Sequence, residues 1–175
     1  MLQACTGNQD SAYIDTDKAV AYHASAAPEK EDVKFAVAAA NMNLTETVLG
    51  KLAQKNGRDL KVKNFGTMLI KDLAKNSKKL TALAKAKHIT LPETPEAADK
   101  KTIDSLTQIP ANNFDKAYIS TMTARHKNDI QVFETASKYC FDPDIKKFAA
   151  QTLPRLKNHL DAINKVNEMM GDRSK

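Results

Sequence analysis

This sequence predicts an all-α protein, an up-down-up-down four-helix bundle with a short helix in its longest connection, and three observations carry that prediction. The 175 residues include five glycines, six prolines and no tryptophan, a composition that suits long helices better than a sheet rich in turns, aromatics and β-branched residues. Apolar residues recur every three or four positions over four long stretches, the mark of helices with one inward face. Each stretch stops at a recognisable signal. The length is that of one domain with one core.

The first stretch runs from Asp32 through Phe35, Ala38, Met42, Leu49 and Leu52. Asn56-Gly57 stops it: Gly57 suits the left-handed position after a helix, and Asp59 can cap the next one. So short a link makes the two helices antiparallel neighbours. The second helix carries Val62, Phe65, Leu69, Leu73, Leu80 and Leu83 and fades near Lys87. Between Pro92 and Asn112 three prolines surround a short amphipathic piece with Ile103 and Leu106, read as a connection across one end of the bundle. The third long helix is expected to begin at Asn113 as N-cap, with Ile119, Met122, His126, Phe133 and Cys140 inward. Asp142-Pro143-Asp144 is a strong start for the fourth, which continues through Phe148, Leu156, His159, Ile163, Val166 and Met170. Pro154 lies inside this helix and cannot donate to Ala150, so a kink or brief break is expected there.

Residues 1–30 lack sustained periodicity and read as a tether with a short helical piece at most, leaving 31–172 as the bundle. Leu2-Gln3-Ala4-Cys5 resembles the tail of a bacterial lipobox, in which a cysteine after a small residue takes a lipid; the polar run Thr6 to Ser11 then suits a flexible tether. No other segment is apolar for long enough to span a bilayer. The net charge of +6, from 27 basic and 21 acidic residues, is mostly interleaved. Its densest basic stretch, Lys71 to Lys87, has no aromatics to stack on bases and reads as a solvated helix face, so nucleic acid is not an expected partner.

Chemistry concentrates at two histidines. If the third and fourth long helices meet at a turn near Phe141 and Asp142, His126 faces the level of Lys157, and His159 is about 3 Å along the axis from it. With both tight turns at one end, counting back from the first turn adds Leu73 and Met42 or Asn41 to this layer. Glu46 and Glu134 then lie nearer the turns, about 14 and 9 Å below them, flanking the apolar face. Two imidazoles could pair with each other, with Asn41 or with a trapped water, giving a polar layer that fixes register. They could instead hold zinc, iron or copper, with Asp72, Asp129 or Glu46 as further ligands. No Glu-x-x-His motif of a di-iron bundle occurs. Cys140 reads as a buried small apolar residue, since no histidine shares its level.

Several separated pieces carry a family resemblance: Thr45 to Gly50, Phe114-Asp115-Lys116-Ala117-Tyr118, Arg125-His126, Phe133-Glu134, and Leu153-Pro154-Arg155-Leu156-Lys157-Asn158-His159. Their order and spacing resemble a large uncharacterised bacterial family of predicted outer-membrane proteins with a ferritin-like bundle. The resemblance implies an envelope location and no established enzyme activity. One departure matters: the family usually carries Asp-His in its second helix, where this chain has Asp72-Leu73. The functional expectation is a non-enzymatic, periplasm-facing or outer-membrane lipoprotein, held in the membrane through Cys5, acting as a binding or structural module toward an unidentified envelope protein or ligand. The alternative is a metal-binding bundle built on His126 and His159.

Overall fold

The computed structural model describes residues 29–171. Among these, five helices account for the architecture: α1 (Lys30–Asn56), α2 (Leu60–Ala86), α3 (Ala97–Thr107), α4 (Ala111–Tyr139) and α5 (Pro143–Gly171). None is long and apolar enough to cross a membrane. The four long helices form the bundle, and α3 is the short helix of the connection.

Local chemistry sets the ends. Asp59 caps α2 by accepting from Lys61 N at 2.8 Å, and Asp142 caps α5 by accepting from Asp144 N and Ile145 N. Three expectations are corrected. Gly57 is not left-handed (φ −58°, ψ 138°). Left-handed backbone occurs instead at His88 (φ 55°), where Ile89 N donates to Ala84 O and closes the end of α2. The helix expected from Asn113 starts at Ala111, directly after Pro110, which fixes a backbone angle suited to helix entry. The brief break offered for Pro154 does not occur: helix α5 runs on through it, and the residue lies on the exposed face where water can take the freed carbonyl.

The topology also differs from up-down-up-down. Asp115, near the start of α4, accepts from Arg58 N and Asp59 N in the α1–α2 turn, the latter at 2.8 Å. At the opposite end, Asp32 on α1 accepts from Phe141 N and Asp142 N in the α4–α5 turn at 3.0 and 2.8 Å. Lys87, just past α2, reaches Asp142 and Asp144 at 2.7 and 2.8 Å. The two tight turns therefore sit at opposite ends. The connection containing α3 carries the chain the whole length of the bundle, and the order is up-down-down-up. In that order α1 and α4 are antiparallel, as are α2 and α5.

Two aromatic clusters fill the ends of the core. Phe35, Phe133 and Phe148 meet near the α4–α5 turn, the closest rings 5.0 Å apart. Phe65, Phe114 and Tyr118 meet near the α1–α2 turn. Between the clusters lie the polar residues. Asn43, Asn76 and Thr152 link α1, α2 and α5 through side-chain hydrogen bonds of 3.2 Å, and nearer the middle stand the histidines.

Candidate functional site

His126 and His159 come from α4 and α5, on the apolar stripes where periodicity puts them, and they are 0 % and 1 % exposed. Their rings pack edge to face with centroids 5.5 Å apart. Phe65 lies against His126, with ring centroids 6.1 Å apart.

Each imidazole is held by one nitrogen. His126 Nδ1 lies 2.9 Å from Met122 O, a group that only accepts, so Nδ1 carries the proton and Nε2 the lone pair. His159 Nε2 lies 3.1 Å from Asp72 Oδ2. Burial pulls the Asp72 carboxyl upward, but the His159 hydrogen bond and the Arg155 charge outweigh it and hold the group below its ordinary range. Asp72 is therefore an acceptor, His159 Nε2 the donor, and Nδ1 the lone-pair nitrogen. Burial holds both imidazoles below their ordinary pKa, hence neutral. Neither His126 Nε2 nor His159 Nδ1 has a hydrogen-bond partner.

Glu46 completes the layer. It is 0 % exposed, and its Oε1 lies 3.5 Å from His126 Nδ1. Burial pushes Glu46 up to about 7 against the pull of Arg125. Burial and the neighbouring Glu46 push Asp129 up to about 7 as well. As ions, neither Glu46 oxygen has a partner, nor does Asp129 Oδ2. Burial is the first cause of both shifts, and the hydrogen bond between the two carboxyls lets them share a proton. Arg125 faces this pair from α4 and is itself engaged by Asp99 of α3. Asp99 also accepts from Asn41.

The layer can thus hold a proton between two carboxyls and offers two imidazole lone pairs. The groups at its centre are closed to solvent, and burial and the neighbouring Glu46 push the Tyr118 phenol further above its ordinary range, so it stays protonated. Cys140 is buried at the end of α4, its thiol pushed up to about 12 by burial and by Asp32.

Compared with known proteins, residues 17–166 match one family, described as a domain of unknown function. The chain belongs to the DUF4142 family. No curated protein and no solved structure matches it.

In this DUF4142 bundle the expected pairing of His126 with His159 is present, and the α1 member of the expected layer is corrected. Leu73 is buried core on α2. Asn41 serves α3, bonding Asp99 and Glu96 N. Glu46 is neither flanking nor one helical level away; it is the α1 member of the layer. The reason is the topology, since the α4–α5 turn meets the start of α1 rather than its end. Asp72 orients His159 from behind, and Asp129 is turned to Glu46. Among the described residues no three His, Cys, Asp or Glu side chains are placed to hold a metal ion. Glu134 stands apart, paired with Lys157 at 2.8 Å. Cys5 lies outside the described residues. A signal for Glu46 exists in the sequence: it falls four residues after Met42 and three before Leu49, on the apolar stripe itself.

Proposed function

We propose that this protein is a non-enzymatic module of the bacterial cell envelope, tethered to a membrane by a lipid on Cys5, whose bundle serves binding or structure rather than turnover. One observation carries the non-enzymatic part: among the described residues the imidazole layer is sealed, with Glu46 and His126 at 0 % and His159 at 1 % exposed. A substrate would have to part the bundle to reach it. The tether reading is supported by Leu2-Gln3-Ala4-Cys5 and the polar run after it. A ferritin-like classification is supported by the single long crossover in an up-down-down-up bundle, while the outer-membrane location rests on the family resemblance alone. Mass spectrometry of the protein extracted from native membranes tests the anchor. A thioether-linked diacylglycerol on Cys5 is expected, and an unmodified Cys5 ends the tether reading.

A second reading, a metal-binding bundle, has its own support. Each imidazole is oriented by a hydrogen bond on one nitrogen and keeps the other free, the arrangement seen where histidine ligates a metal. The protein would supply His126 Nε2 and His159 Nδ1, a pair of nitrogens that suits zinc, copper or iron with further ligands from outside. Calorimetric titration with each ion decides this. Heat lost in His159→Ala supports the reading; identical, negligible heats for wild type and variant retire it.

A further inference from the structure

The face between α1 and α4 is open where α1 begins. A groove of about 710 Å³ lies there, lined by Phe35, Ala38, Val132, Thr135 and Ala136. Tyr139 and Phe141, each 73 % exposed, stand at its edge. Glu31 and Lys34 on the rim neutralise each other at 2.6 Å, so the groove presents carbon and no unpaired charge. Aromatic rings left in water beside an apolar groove mark a surface that something covers. The described chain enters the bundle at this same spot. Asp32 of α1 accepts from Phe141 N, and Glu29, just ahead of α1, is extended (φ −60°, ψ 156°), so the backbone leaves the helix axis beside the groove.

We propose that residues 17–28 of this chain turn back along the groove and cover it. The family match begins at residue 17, twelve residues before the first described residue, so this segment belongs with the bundle to the family's shared unit. Its chemistry fits the groove. Ala19 to Ala27 contains no Asp, Glu, Lys or Arg, and Val20, Tyr22 and five alanines supply small apolar side chains and one aromatic ring. Its length fits as well. On α4 the groove runs from Asn128 to Tyr139, about 16 Å at 1.5 Å per residue, and twelve residues span about 18 Å as a helix or about 40 Å extended, so the segment reaches in either conformation. Covalent attachment favours it over a foreign apolar partner, because a tethered segment meets its groove at an effective concentration of about millimolar. The lipid reading of Cys5 can fail without touching this proposal.

Amide hydrogen exchange of the full-length protein at neutral pH, read by mass spectrometry, provides the test. Amides of residues 18–27 are expected to exchange about tenfold or more slowly than in a free chain. Val20→Asp combined with Tyr22→Asp is expected to return them to free-chain rates, since a carboxylate in the groove gives up water for no partner. Val132→Asp is expected to do the same from the groove side, with peptides of α2 and α5 unchanged as the control for folding. Val132 is 37 % exposed, so this charge stays out of the core. The segment variant is also expected to uncover the groove and raise binding of an apolar fluorescent dye, a change that loss of purely local structure in the segment does not produce. Free-chain exchange in the wild type overturns the proposal, as does protection that survives Val132→Asp in a folded bundle. Dye binding unchanged in the segment variant overturns it even if Val132→Asp does not fold. Protection that falls on dilution overturns it too, because a second copy then fills the groove.

Discussion

At the scale of single residues, burying Glu46 beside Asp129 has a thermodynamic consequence with a definite sign. A carboxyl raised from 4.5 to about 7 in the folded state favours folding least where it must ionise. Its penalty is absent below the unfolded value and grows as pH rises through 7. The two histidines act oppositely. Burial lowers their pKa, so they cost stability as pH falls below 6.5, where the unfolded chain takes up protons and the folded one resists. Comparing Glu46→Gln with wild type at equal pH cancels the histidine contribution. The variant, neutral at every pH and able to donate to Asp129, is expected to gain on the order of 1–3 kcal/mol relative to wild type between pH 5 and pH 8. Urea denaturation at the two pH values measures this. An unchanged difference would mean that Glu46 does not hold its proton at neutral pH.

At the scale of helices, the α1–α2 pair is set by glycine. A β-carbon on Gly66 would lie 2.5 Å from Gly50 O and 2.9 Å from the Ala53 β-carbon, and one on Gly50 would lie 3.0 Å from Gly66 O. Backbone cannot move aside as a side chain can. Gly66→Ala is therefore expected to cost about 1–3 kcal/mol even though alanine is the better helix former, because overpacking outweighs propensity. Thermal unfolding by circular dichroism would read it directly. The end of α2 offers the reverse case. His88 is exposed and holds φ 55°, a conformation that penalises any side chain, so His88→Gly is expected to stabilise by about 1 kcal/mol, measured as a higher urea midpoint at constant slope. The helices themselves were legible from the sequence, since periodicity and caps are local: Asp59 and Asp142 cap where they should. The Gly50 and Gly66 contact was not, because a small residue on a helix face marks a close approach only when its partner is known. The left-handed residue was likewise placed at Gly57, where glycine permits it, whereas the chain uses it at His88, where the path of the link requires it.

At the scale of the molecule, two buried carboxylates latch opposite ends: Asp32 holds the α4–α5 turn to α1, and Asp115 holds the α1–α2 turn to α4. Each Asp→Asn substitution removes a charge-assisted acceptor and is expected to cost about 1.5–3 kcal/mol. The latches stand about 40 Å apart at 1.5 Å per residue, so the double variant is expected to lose the sum within about 0.5 kcal/mol. A clear departure from additivity in equilibrium unfolding would show that the two ends are coupled through the layer between them. By itself the sequence determined the all-helical class, four long helices with a short one between, and the meeting of His126 with His159, because one short turn brings those two into register. It did not determine what faces them from α1. A connection of some twenty residues spans either the width or the length of a bundle, and nothing local distinguishes the two paths. Tertiary structure chose the length, which moved the α1 member of the layer from Met42 to Glu46, one helical turn or about 6 Å. That single turn replaced a thioether by a carboxyl and gave the interior a proton to hold.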